Sequence, residues 1–147
     1  VIPRLARPED LGLVRSSWLR SYSTSDFAKY LTPPDVWRKN EAAAEYWNAQ
    51  RRVIEHLLAR ARTEVLDDDG VLTAWCCSEP ERGVVHYVYV KHMGDRRGRG
   101  LARTLLRDFE ARDEVLYTHR SRNLDSKRLP AGWRFSWHSI FGEEKAA

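Results

Sequence analysis

Apolar residues recur along this chain with two periods, and the period changes near residue 62. Before that point the spacing is helical. Leu11, Val14, Trp18 and Leu19 make one apolar stripe, entered through Arg7-Pro8-Glu9-Asp10, with proline and acids in the first turn. A short strand over Ile2 to Ala6 precedes it. A second start signal, Thr32-Pro33-Pro34-Asp35, leads into Trp37, Tyr46, Trp47, Val53, Ile54, Leu57 and Leu58, a helix running to about Arg62. The polar and aromatic stretch from Ser21 to Leu31 reads as a loop. After Arg62, β-branched and aromatic runs take over at Thr63 to Leu66, Val71 to Cys77 and Val84 to Lys91. Asp67-Asp68-Asp69-Gly70 and Glu79-Pro80-Glu81-Arg82-Gly83 separate them as turns, so two successive antiparallel hairpins are predicted. Leu101, Leu105, Leu106 and Phe109 then share one helix face. Val115 to Thr118 reads as a strand, Leu129 to Trp133 as a turn, and Arg134 to Ile140 as a last strand. The predicted order is β-α-α-β-β-β-α-β-β, an α/β chain with a mixed sheet.

Length and composition narrow the picture. The chain has 147 residues, the size of a single domain. It is 42% hydrophobic and 31% charged, which points to a globular chain rather than a disordered one. No apolar run approaches the roughly 20 residues of a membrane span, so no membrane partner is expected. Cys76 and Cys77 are adjacent and too few for a disulfide scaffold, and a reducing, cytoplasmic setting is the expectation. No metal site is expected, because the five histidines are scattered and no second cysteine pair exists.

Charge singles out one region. The net charge is +4, and arginine outnumbers lysine 20 to 5. Between Lys91 and Arg112 lie seven basic residues (Lys91, Arg96, Arg97, Arg99, Arg103, Arg107, Arg112) against Asp95, Asp108 and Glu110. That window alone carries the excess of the whole chain. It implies an anionic partner, either a nucleotide phosphate or a nucleic-acid backbone. Arg99, Arg103 and Arg107, four apart, are the stripe that would touch a nucleic acid.

The same window holds a strand, Val84 to Val90, a glycine turn, and a helix opened by Arg97-Gly98-Arg99-Gly100-Leu101-Ala102. The first helical turn offers N–H groups with no partner inside the helix, and glycines permit close approach, so a pyrophosphate suits such a turn. A P-loop would need Lys then Ser or Thr after its last glycine, where Leu101 follows Gly100. A dinucleotide-binding fingerprint would need three glycines beside the first strand. Neither fits.

Arg97 to Ala102 satisfies the pattern Arg/Gln-x-x-Gly-x-Gly/Ala and, with the strand before it and the leucine helix after it, resembles the GNAT superfamily of acetyl-CoA-dependent N-acetyltransferases. The element order along nearly the whole chain is also similar. The compact Leu-Pro-Ala-Gly-Trp ending resembles small phage-encoded members, for which the host cytoplasm would be the setting. The resemblance implies a single GNAT-like domain over residues 1–147: a mixed, mainly antiparallel sheet with splayed central strands, flanked by helices. It implies that Arg97, Gly98, Arg99, Gly100, Leu101, Ala102 and Arg103 hold the CoA pyrophosphate, and that the backbone of Val88, Tyr89 and Val90 pairs with the pantetheine arm. Asn123 matches the asparagine often found after the fifth strand. Tyr22, Asp26 and Tyr30 fall where the family builds its acceptor wall.

The implied reaction moves an acetyl group from acetyl-CoA directly to a primary amine, on a small molecule or a macromolecule. It needs a base for the amine, a donor for the carbonyl oxygen and a proton for the leaving thiolate. His86 is the expected base and Tyr117 the expected acid; His119, just after the next strand, also falls within reach of the slot. By strand alternation Tyr87 and Tyr89 should face away from His86. The strand lacks the family's usual glutamate, and Pro130 stands near the expected late tyrosine. A GNAT-like binding or structural protein without catalysis is therefore the alternative.

Overall fold

The computed structural model describes residues 2–23, 41–91, 100–120, 124 and 129–141. Its elements are β1 (Pro3–Leu5), α1 (Leu11–Ser23), α2 (Glu41–Arg60), β2 (Arg62–Asp68), β3 (Val71–Glu79), β4 (Val84–Val90), α3 (Leu101–Leu105), β5 (Val115–Tyr117) and β6 (Trp133–Phe135). A short 3-10 turn, Pro8–Asp10, leads into α1, and another, Arg107–Phe109, follows α3. Among the described residues the order is the one predicted from periodicity; the predicted helix start at Thr32-Pro33-Pro34-Asp35 lies outside them.

All six strands form one sheet in sequential order, β1 through β6. The first four pair antiparallel, and β4–β5 and β5–β6 pair parallel. The β2–β3 hairpin closes on Asp69 and Gly70, both at positive φ (53° and 87°). That is the two-residue turn whose twist suits adjoining strands. The Gly70 N–H donates to the Asp67 carboxylate at 2.7 Å. At the sheet edge Arg4 bridges Asp10 (2.7 Å) and Asp67 (3.0 Å), tying β1 to β2 and to the entry of α1.

Strand alternation sends neighbouring residues to opposite layers. Val65, Trp75, Cys77 and Tyr87 pack under Val14 and Trp18 of α1 and Ile54 and Leu57 of α2. Leu66, Ala74, Cys76, Val85, Val88, Val115 and Tyr117 pack under Leu105 and Phe109, as the 101/105/109 stripe predicts. The two cysteines therefore enter opposite cores. Burial pushes the Cys76 thiol up to about 12 and the Cys77 thiol higher still, so neither is a nucleophile at neutral pH.

The end of the chain departs from expectation. In place of a strand from Arg134 to Ile140, β6 stops at Phe135 and Trp137–Phe141 forms a 3-10 turn. Serines make the break: the Ser136 N–H donates to the Tyr117 carbonyl at 2.8 Å, and the Ser139 N–H turns back to the Ser136 carbonyl at 3.2 Å. Just before β6, a Cβ on Gly132 would sit 1.9 Å from the backbone oxygen of Asp113. Gly132→Ala is thus expected to destabilise the fold by about 2–3 kcal/mol, because backbone on both sides must move. Urea unfolding measures this, and an unchanged midpoint contradicts it.

Candidate active site

The pairing of β4 with β5 is short. Leu116 N–H donates to the Gly83 carbonyl (2.9 Å) and Thr118 N–H to the Val85 carbonyl (3.1 Å). The ladder ends at Val85 and Tyr117, while β4 runs on from His86 to Val90. The described pairing of the two central strands is therefore confined to the first two residues of β4. Lys91 N–H donates to the Thr73 carbonyl at 2.8 Å, which fixes the phase of the β3–β4 ladder. With a two-residue repeat, Tyr89 and Tyr87 bond toward β3, and the backbone N–H and C=O of Val88 and Val90 are directed to the fork side.

A bulge lies at the root of the fork. Cys77 pairs with Tyr87 but Ser78 pairs with Val85, leaving His86 as the extra residue on β4. Simple alternation fails there. His86 and Tyr87 both turn toward the α1/α2 layer, which corrects the expectation that they face apart.

His86 is fully buried and bonded at both ring nitrogens. Its Nε2 lies 2.6 Å from Glu79 Oε2, and its Nδ1 lies 3.0 Å from Thr118 Oγ1. Glu79 ends β3, and the Pro80–Gly83 turn folds it back beside the bulge. The same carboxylate oxygen takes Arg82 (2.6 Å) and Arg60 of α2 (3.1 Å). Burial raises the Glu79 carboxyl, but its bonds to His86, Arg60 and Arg82 outweigh this and hold it below the usual range. Burial pulls His86 down to about 4 despite Glu79, because two guanidiniums already balance that charge. Neutral His86 donates from Nε2 to the carboxylate and accepts at Nδ1 from the Thr118 hydroxyl.

The network continues to His119. Its Nδ1 is 3.0 Å from the His86 carbonyl and 2.8 Å from Thr118 Oγ1. Its ring packs edge-on against Trp18 (5.8 Å between centroids) and Tyr87 (6.1 Å). Burial and the nearby His86 pull His119 down to about 3. The fully buried Trp18 Nε1–H beside it has no acceptor among the described residues.

Tyr117 is placed elsewhere. It is buried in the α3 layer with its ring 5.7 Å from Phe135, across the sheet from the His86 imidazole. The structure does not bring these two candidates together. Gly100, at φ 76°, caps α3, whose first residues are Leu101 and Ala102. Arg97, Gly98, Arg99, Asn123, Asp26 and Tyr30 lie outside the described residues, as does the side chain of Tyr22.

The basic stripe is interrupted. Arg107 makes a two-pronged pair with Glu64 (3.0 and 3.2 Å), Arg103 meets Glu110 at 3.4 Å, and Arg112 donates to the Pro80 and Glu81 carbonyls. Arg103 and Arg107, the described members of the stripe, are thus each paired with a carboxylate.

Sequence reasoning missed Glu79 and Thr118, and left His119 without a role. A signal existed for Glu79: a hairpin closing at Pro80–Gly83 must set it against the start of β4. The carboxylate beside His86 comes from the neighbouring strand β3.

No family profile matches the chain, and no curated protein matches it in sequence. Among solved structures it is similar to a ribosomal-protein-alanine N-acetyltransferase from Brucella melitensis, over 74% of this chain and 64% of that one, with TM-score 0.43 and 19% identity. It is also similar to yncA from Salmonella typhimurium, solved with its cofactor acetyl-CoA. That match covers 73% of this chain and 59% of the other, with TM-score 0.40 and 18% identity. The chain spans less than two thirds of the length of each of these two neighbours. Among the described residues no helix is long and apolar enough to cross a membrane.

Proposed function

We propose that this chain is a GNAT-type N-acyltransferase that moves an acetyl group from acetyl-CoA directly to a primary amine. The observation that carries this reading is that the β4–β5 ladder ends at Val85 and Tyr117 while β4 runs on to Val90. An extended pantetheine arm would add along Val88 to Val90 like a further strand. An N–H on that edge would donate to the thioester oxygen as it gains charge. The turn from Arg97 to Ala102 would hold the pyrophosphate, with Arg103 and Asn123 beside it; the sequence motif supports this assignment. Tyr22, Asp26 and Tyr30 would meet the acceptor amine. Both cysteines are buried, in keeping with transfer that needs no acyl-enzyme.

Calorimetric titration with acetyl-CoA tests the reading. Saturable binding is expected below millimolar ligand, with thiol release when a suitable amine is added. Arg97→Glu with Gly100→Asp should abolish that binding. No binding at millimolar acetyl-CoA refutes the reading. Binding without thiol release across an amine panel favours a non-catalytic binding protein instead.

A further inference from the structure

We propose that Glu64 and Arg107 are positioning residues, which hold the glycine turn in the orientation that receives the diphosphate of the acyl donor. The assignment rests on the acyltransferase reading and deepens it.

The turn closes at Gly100, and α3 after it has five residues. A helix that short has no stability of its own, so its orientation comes from what it is tied to. Leu101, Leu105 and Leu106 pack it onto the sheet. Beyond its far end one guanidinium makes a polar tie. Arg107 Nη1 and Nη2 donate to the two Glu64 carboxylate oxygens at 3.2 and 3.0 Å, and Nη1 also donates to the Thr104 carbonyl at 3.1 Å. Thr104 in turn holds the glycine. Its N–H and its hydroxyl both donate to the Gly100 carbonyl, each at 2.9 Å. The C=O and N–H of one trans peptide point in opposite directions. Drawing the Gly100 carbonyl into the helix therefore turns the Leu101 N–H outward, where an anion on the turn would meet it. Bonds thus run residue by residue from a carboxylate on β2 to the peptide that ends the glycine turn.

Glu64 is suited to be the anchor. It stands opposite Cys76 in the β2–β3 ladder and is buried, on the sheet face that α3 covers. The planar guanidinium fork fits both carboxylate oxygens at once, which fixes direction as well as distance. Charge sets this role apart from direct contact with the donor. Glu64 also takes Arg62 at 3.2 Å, and Arg62 meets Asp108 at 2.7 Å. Arg107, Glu64, Arg62 and Asp108 therefore alternate in sign and carry no net charge together. A direct charge contact predicts that removing the negative Glu64 strengthens the binding of an anion. A positioning role predicts that the same change weakens it.

Calorimetry with two probes tests the sign: acetyl-CoA, and S-acetyl-pantetheine, which lacks the diphosphate. Glu64→Gln keeps the side-chain shape and one acceptor oxygen but loses the charge. Arg107→Lys keeps the charge but loses the fork, and at 41% exposure this side chain is replaced without opening the core. Glu64→Gln is expected to weaken acetyl-CoA binding at least about ten-fold, and Arg107→Lys about three-fold or more. Both variants should hold S-acetyl-pantetheine within about two-fold of wild type, because that probe does not use the turn. Acetyl-CoA bound by Glu64→Gln as tightly as by wild type, or more tightly, overturns the assignment and leaves the acyltransferase reading intact. An equal loss with both probes in Arg107→Lys also overturns it, since a general loosening of the fold would produce that result. Failure of wild type to bind acetyl-CoA overturns the reading itself.

Discussion

Glu79→Ala should lower the melting temperature by roughly 6–12 °C. The carboxylate is the common acceptor of His86, Arg60 and Arg82, and its side chain is only 13% exposed. Its loss leaves the buried His86 Nε2–H without an acceptor and two guanidiniums without their counter-charge. Removing one partner of an enclosed pair costs far more than the pair contributes, because the remainder stays desolvated. A penalty of about 3 kcal/mol is reasonable for partly exposed arginines, and at about 2–4 °C per kcal/mol for a chain of this size it gives the stated shift. Arg60 also donates to the Ile140 carbonyl at 2.6 Å, so the C-terminal turn should loosen with it. Arg82→Ala removes one cation and strands no buried donor, so its effect should be smaller. Thermal unfolding followed by circular dichroism measures both. A shift under about 2 °C for Glu79→Ala contradicts the network.

The second large effect is loss of stability in mild acid. His86 and His119 are neutral in the folded chain, lowered by burial to about 4 and about 3. Unfolded, each titrates near pH 6.5. As pH falls below 6.5 the unfolded chain binds more protons than the folded one, so stability declines with falling pH. It is fully present above pH 6.5 and is drained by up to about 1.4 kcal/mol per unit from each histidine. Between pH 6.5 and 5 the pair removes about 2–4 kcal/mol, a large fraction of typical domain stability. The carboxyls of Asp10, Asp67 and Asp108, all lowered by bonds to arginines, act in a separate window. Their contribution is present above about pH 4 and is lost below it. Urea unfolding at pH 7.5, 6.0 and 5.0 tests the sign. Equal midpoints across that series rule out two neutral buried histidines.

Much of the fold was legible because local patterns agree with the tertiary structure. The 101/105/109 stripe marks a helix that covers a sheet, and Asp69-Gly70 marks a turn with two positive φ angles. The 3-10 turn after β6 was less legible, since Trp137 and Ile140 keep an apolar spacing that a strand would share. The bulge at His86 was not legible at all. Alternation along Val84 to Val90 is unbroken in sequence, and the extra residue exists only because Ser78 pairs with Val85 while Cys77 pairs with Tyr87. That shift moves His86 from one layer to the other. Tyr117 goes to the α3 core, and the ring that reaches the fork is His119, which follows the end of β5. The glycine turn was recognised from its spacing, but Gly100 to Arg103 is the portion the structure describes.

The central claim is that β4 beyond the end of its pairing with β5 receives the arm of a thioester. A crystal structure grown with acetyl-CoA measures this directly. The account predicts the pantetheine arm bonded along β4 between Val88 and Val90. A cofactor seated on any other surface, or β5 continuing to pair with β4 as far as Val90, would contradict it.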